Sequence, residues 1–350
     1  MYIRYLMFGS RMIVAMTAFF ALFAPLNVYA ETFCPTVTNP NTDRRQDKNT
    51  LRIMQYNVEW LFADYYKNAD CPGAGCTWQN ETVAQTHIQY VANVINDVQP
   101  DIMNLCEVEG CDELDDLIKQ TSSEYNPYLI QGSDTSTGQN VGMLTKINPS
   151  VSLYRTEERV GYPIPGSKCG YKGEPGTSGV TKHYITEFQW QKMKVLYIGL
   201  HLLAYPTDTT RCAEREAQAT VIQNVIVPYI QKGYEVIVMG DFNDFDEDPL
   251  DANNNTPISH VLDIVRGKNT NTYKLYNVAT SITKSERYSD WWDKNGDCKS
   301  TPDEFSTIDH LLVTPGLQTK IKNAYYYHKY EEFCGTYNSD HYPLVLELGV

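Results

Sequence analysis

Apolar residues recur along this chain with two periods, and the switches between them lay out the elements. Alternating runs suited to half-buried strands occur at LRIMQYNVE, DIMNLCE, VGMLTKI, KHYITEFQW, VLYIGLH, EVIVMGDFN, IDHLLVT and SDHYPLVLEL. Between them, ETVAQTHIQYVANVINDV places Val83, Ile88, Val91, Val94, Ile95 and Val98 at helical spacing, with Pro100 as the stop. DELDDLIKQ predicts a shorter helix and TRCAEREAQATVIQNVIVPYI a long one. Residues 31–50 are polar and aperiodic, which predicts an extended arm, and the Gly-rich stretch 161–179 predicts a surface loop. Strand–helix–strand alternation with strand-rich ends suits an α/β sandwich, and no linker or internal repeat divides it.

Six of these strands carry a polar group at one end. The first four end on Asn57 and Glu59, on Glu107, on His201, and on Asp241 with Asn243. The last two begin on Asp309 and on Asp340 with His341. If the last two run antiparallel to the first four, all these groups meet at one edge. Such a cluster of carboxylates, amides and imidazoles binds a hard divalent cation and moves protons.

Arg4 and Arg11 precede the apolar run IVAMTAFFALFAP, and Val28-Tyr29-Ala30 closes it before Glu31. The run is shorter than the roughly 20 residues that span a bilayer, so residues 1–30 read as a secretory signal peptide. No other stretch is apolar enough to span, and the product is expected to be extracellular, or periplasmic in a bacterium. Cleavage removes two arginines and no acid, so the formal charge of −14 becomes −16. An acidic surface of that size gives no general electrostatic capture of nucleic acid. Nine cysteines in an exported chain predict disulfides. Cys106 lies inside an apolar run and reads as the odd, buried thiol. The other eight allow many connectivities, one of which is Cys34–Cys111, Cys71–Cys76, Cys169–Cys212 and Cys298–Cys334.

The ordered blocks NVE, CEVE, GLH, GDFND, STIDH and NSDHYP resemble the endonuclease/exonuclease/phosphatase superfamily from about Leu51 to Leu348. This resemblance implies a four-layered α/β sandwich, with two packed mixed sheets flanked by helices, over residues 51–350. It also implies a Mg²⁺-dependent phosphodiester hydrolase, with Mn²⁺ as a substitute. Glu107, Asn57 and Asp340 would serve the metal, with Glu59 as an additional acid. His341 would be the general base held by Asp309, Asp241 would orient the attacking water, and Asn243 and His201 would donate to the phosphate.

The resemblance to deoxyribonuclease I is incomplete. The stretch before the central strand offers Gln139 or Asn140 where a glutamate is usual, leaving His201 without a carboxylate partner. Lys182-His183 stands in place of an arginine. Asp244 follows the GDFN block where inositol phosphatases carry a basic residue. His310 is expected to face away from the site. The leading reading is a monomeric, secreted endonuclease acting on DNA, or on RNA. A sphingomyelinase-like enzyme acting on phospholipid is the alternative, and an inactive binding module a third. Asp293, Asn295, Asp297 and Glu304 match positions 1, 3, 5 and 12 of a calcium loop, although the glycine needed at position 6 is Cys298. Structural Ca²⁺ is therefore an additional expectation.

Overall fold

The computed structural model describes residues 34–63, 78, 80–122, 124–297, 299–329 and 339–349. In chain order the elements are β1 (Thr50–Leu61), α1 (Glu81–Val98), β2 (Ile102–Val108), α2 (Cys111–Lys119), β3 (Asn126–Leu129), β4 (Asn140–Thr145), β5 (Val160–Tyr162), β6 (Gly176–Ser178), β7 (Lys182–Trp190) and β8 (Met193–His201). There follow α3 (Thr209–Gln231), β9 (Glu235–Asp241), α4 (Val261–Val265), β10 (Tyr276–Asn277), β11 (Asp290–Trp291), β12 (Phe305–Ser306), β13 (Asp309–Val313), α5 (Pro315–Gln318), β14 (Ile321–Tyr326) and β15 (Leu344–Gly349). One sheet has the order β14-β15-β1-β2-β4-β3 and the other β10-β13-β9-β8-β7.

Strand alternation divides the apolar residues among three layers. Inward positions such as Ile53, Ile102, Tyr197, Met239, Leu311 and Leu346 pack between the two sheets. Met54, Tyr56, Met103 and Leu105 face α1 and α2, while Leu196, Ile198, Val236 and Val238 face α3 and α4. The result is the expected helix–sheet–sheet–helix sandwich. Helix α1 begins where the Asn80 side chain accepts from Val83 N–H, and it ends at Gln99, whose left-handed φ of 52° precedes Pro100.

Strands β1 and β2 run parallel, as do β8 and β9. β15 is antiparallel to β1, and β13 to β9. That is the polarity which brings all six polar strand ends to one edge. Gly240, in the middle of this arrangement, has no room for a side chain, since a Cβ there would collide with Leu200 O.

Residues 34–49 form no helix. They are tied beside the six-stranded sheet by the bridge Asp43–Ile147 and by Arg44 on Asn148 Oδ1 (2.7 Å), and to α2 by the disulfide Cys34–Cys111. The stretch 161–179 is more ordered than its composition predicts, because β5 and β6 pair as a small hairpin and Cys169–Cys212 fastens it to α3. Cys106 is free and buried. The expected pairs Cys71–Cys76 and Cys298–Cys334 fall outside the described residues. No helix among the described residues is long and apolar enough to cross a membrane.

Candidate active site

Each central strand turns from apolar to polar along its inward face. On β1 the inward series is Leu51, Ile53, Gln55, Asn57; on β9 it is Ile237, Met239, Asp241; and on β13, read backwards, Val313, Leu311, Asp309. Apolar layers therefore close one end of the inter-sheet space, and polar groups collect at the other.

A chain of hydrogen bonds crosses this polar end. Asn104 Nδ2 donates to Gln55 Oε1 (2.6 Å), Gln55 Nε2 donates to Asp309 Oδ1 (3.0 Å), and Asp309 Oδ2 faces His341 Nδ1 at 2.7 Å. With a proton on Nδ1, the ring presents Nε2 towards Asn57 Nδ2 (3.4 Å) and Asp241 Oδ2 (4.0 Å). Burial opposes the charged imidazolium, but Asp309 and Asp340 outweigh it and hold the His341 pKa well above its ordinary value. The segment carrying His341 is pinned by Ser339, which donates to Asn57 O (2.7 Å) and accepts from His341 N (3.0 Å). Ser289 Oγ likewise accepts from Ile308 N and Asp309 N.

Asn57 is the hub between two groups of acids, since its Nδ2 lies 3.2 Å from Glu107 Oε1 and 3.1 Å from Asp241 Oδ2. Strict alternation would point Glu107 away from Asn104 and Cys106. A register shift between Cys106 and Val108, with Glu107 at φ 67°, turns it back. Glu59, Trp60 and Asn243 also hold left-handed φ values of 48°, 50° and 49°. Four such residues at one site represent stored strain of order 1–3 kcal/mol each, held in place by the surrounding framework. Trp60 N donates to Glu107 Oε2 (3.1 Å), and Asp340 N to Glu59 Oε2 (3.2 Å).

This crowding of acids is the physical test of whether a cation fits. Burial, then repulsion from Asp340, pushes the Glu107 and Glu59 carboxyls up. Burial, then Asp309, raises Asp241 to about 8. Buried carboxylates without full compensation are costly, and a divalent cation would offset them. Their oxygens are the hard ligands that Mg²⁺ takes. Asp241, Asp309 and His341 also offer atoms within 4.8 Å of one another. Asp309 is already committed to His341 and Gln55, however, so the Glu107 side suits the cation better. At Cys169, Cys212 and Glu216 the two sulfurs are spent in a disulfide. A separate cleft of about 730 Å³ lies at the far end of the six-stranded sheet. Its Arg52 pairs with Glu347 (2.8 Å) and its Lys146 lies 3.9 Å from Asp101, and it holds none of the site residues.

His201 Nε2 lies 3.5 Å from Asp241 Oδ2, while its buried Nδ1 has no hydrogen-bond partner among the described residues. Burial, then Lys182 and His341, lowers its pKa well below the ordinary value, so the ring is neutral. Asn243 N donates to Asp241 Oδ1 (2.8 Å), and Asn243 Nδ2 to Leu202 O (3.2 Å). The two residues of the Lys182-His183 pair separate. Lys182 faces the site, paired in register with His201 and bonded to Gln139 Oε1 (3.2 Å). His183 points away and accepts from Thr156 N (3.1 Å). His310 is buried on the outer face, against Asp244 O (2.9 Å).

The candidate calcium loop is occupied by its own hydrogen bonds. Asp293 Oδ1 accepts from Gly296 N and Asp297 N, Asn295 Oδ1 from Asp297 N, and Asp297 Oδ1 from Lys299 N. Glu304 is buried and accepts from Trp291 Nε1, Lys294 N and Thr301 N. Among the described residues its three acids do not form a ligand cluster.

Several supporting residues went unread in the sequence. Gln55 and Asn104 were visible as polar positions inside apolar strands, and they are register partners. Asp290 bridges to His341, accepts from Ser306 Oγ, and is raised by burial to about 7; nothing in its sequence neighbourhood marks it. Arg215 is fully buried on α3. It donates to Asp244 (3.1 Å) and to the carbonyls of Leu203, Ala204, Tyr205 and Pro206, fixing the loop that leaves His201. Arg215→Ala should destabilise the fold by about 3–5 kcal/mol, because it strands a buried carboxylate and four carbonyls. Urea unfolding measures this; a loss under about 1 kcal/mol would show that the loop tolerates the vacancy.

The Endonuclease/Exonuclease/phosphatase family profile matches residues 54–321. No curated protein matches the sequence. Among solved structures, an endonuclease/exonuclease/phosphatase family protein from Leptotrichia buccalis aligns at TM-score 0.51 and 14% identity, over 86% of this chain and 100% of its own. Humanized D. rerio TDP2 carrying 14 mutations aligns at 0.50 and 15%, over 86% and 99%. A functionally unknown conserved protein from Enterococcus faecalis V583 aligns at 0.50 and 16%, over 86% and 100%. At these identities the likeness is one of fold. With the profile spanning most of its length, the chain belongs to the endonuclease/exonuclease/phosphatase family and so to the metal-dependent phosphoesterases.

Proposed function

We propose that this protein is a secreted endonuclease that hydrolyses phosphodiester bonds in DNA, or RNA, with Mg²⁺. The observation that carries the reading is the His341–Asp309 pair beside the acids around Asn57. Asp309 fixes the ring. With Asp340 offset by a cation the raised His341 pKa would fall, so that Nε2 of the neutral ring takes the proton of an attacking water, with Asp309 stabilising the imidazolium formed. Asp241 orients that water. As the P–O bond to the departing strand breaks, the Asn243 amide, the neutral His201 ring and Lys182 meet the charge on the phosphoryl oxygens. Glu107 and Asp340 would hold the cation, with Asn57 positioning Glu107 and Glu59 adding charge. When bound, the cation supplies Lewis-acid polarisation of the phosphoryl group and steadies the leaving oxygen. Mn²⁺ fits the same oxygen donors. The N-terminal 30 residues would direct export, consistent with the two disulfides among the described residues, and residues 51–350 would form the catalytic domain as a monomer.

Purified mature protein should nick supercoiled plasmid with Mg²⁺ and stop on chelation. Intact plasmid alongside release of phosphocholine from sphingomyelin would replace this reading with the phospholipid one.

A further inference from the structure

Among the described residues, Trp292 and Tyr205 are the most exposed large hydrophobic side chains, at 71% and 65%; the next, Tyr90, is at 39%. Tyr205 stands on the loop leaving β8 after His201, and Trp292 directly follows β11, whose Asp290 bridges to His341. Tyr205 lies four residues beyond His201, in the loop whose carbonyls Arg215 holds, and its φ is 70°. The Arg211 guanidinium lies 5.5 Å from its ring centroid. Trp292 follows Trp291, whose N–H donates to Asp340 O (2.9 Å), and Trp292 N itself donates to Glu304 O (3.2 Å). These rings are therefore displayed from backbones anchored to the site's own framework. A large side chain at positive φ carries a strain cost that burial does not offset here.

With a formal charge of −16 after residue 30, the mature protein gains no general attraction for a polyanion beyond the cation and Lys182 at the site, so an uncharged part of the substrate is needed to add affinity. Aromatic stacking provides it, at about 1–3 kcal/mol per base and without regard to sequence. Bases in a duplex are stacked on each other, and exposing them costs a few kcal/mol. Insertion into a bilayer is disfavoured at Trp292, because the polar run Asp293-Lys294-Asn295-Gly296-Asp297 follows it and it belongs to no contiguous apolar patch of sequence. We propose that Tyr205, backed by Arg211, and Trp292 are stacking platforms for unpaired nucleobases beside the scissile phosphate, making single-stranded nucleic acid the preferred substrate. This inference rests on the nuclease reading above.

The test compares kcat/KM of the mature protein, with Mg²⁺, on a single-stranded oligonucleotide and on the same strand carrying abasic residues. Wild type should prefer the base-bearing strand about 100-fold, and Tyr205→Ala and Trp292→Ala should each reduce that preference about tenfold through KM. Tyr205→Phe and Trp292→Phe should keep it. Melting curves confirm folding of the variants. An unchanged preference in both alanine variants overturns the platforms and leaves the nuclease reading standing. No cleavage of any strand by wild type overturns both. Loss of sphingomyelin-vesicle binding in Trp292→Ala, with strand kinetics unmoved, assigns the residue to a membrane surface instead.

Discussion

Replacing His341 with alanine should lower kcat on a phosphodiester substrate by about 10³-fold, within the 10²–10⁴ range that a positioned general base contributes. The ring lies 2.7 Å from Asp309 through Nδ1 and turns Nε2 towards the site, so the substitution removes the proton acceptor without moving a strand. Asp309→Asn should also lose most of the activity, because an amide can orient the ring but cannot stabilise its charge. The two residues act as a unit. The double variant should therefore be no slower than His341→Ala alone. Multiplicative losses in the double variant would show that Asp309 acts elsewhere, and near-normal turnover in His341→Ala would remove the general-base assignment.

The second large effect is expected at Glu107. Glu107→Gln keeps the shape and removes the charge, and activity at a fixed Mg²⁺ concentration should fall at least 100-fold, the upper range for disturbing a metal site's support. A second readout does not depend on turnover. In chelator, Glu107→Gln should melt higher than wild type, because it removes one of several crowded acids. Titrating Mg²⁺ should then raise the melting temperature of wild type and leave the variant nearly unmoved. A wild-type melting temperature insensitive to Mg²⁺, or a variant that responds equally, would place the cation elsewhere.

Much of this architecture is legible along the chain. The period-two runs mark the central strands, the 3.6-residue periodicity marks α1, and the expected α2 and α3 segments match their helices. The reversed order of Asp309 and of Asp340-His341 relative to their strands implies antiparallel entry, which β13 and β15 adopt. The inward faces change from apolar to polar in the sequence itself, so the position of the site at one end of the sandwich is written there too.

Other features depend on contacts between segments far apart. Alternation alone directs Glu107 to the wrong face, and the bulge that re-aims it exists only in pairing with β4. Asn104, Gln55, Asp309 and His341 come from four separate strands or loops, and no local signal links them. Arg215 lies in a segment that reads only as a long helix, yet five hydrogen bonds commit it to the loop after His201 and to Asp244. The exposure of Tyr205 and Trp292 is likewise set by where their loops leave the framework. Periodicity and strand-end chemistry follow from local sterics and side-chain type, so the sequence by itself determined the sandwich and the kind of reaction. Bulges, buried hydrogen-bond relays and the display of rings at the rim depend on which segments pack together, and only the tertiary structure decided them.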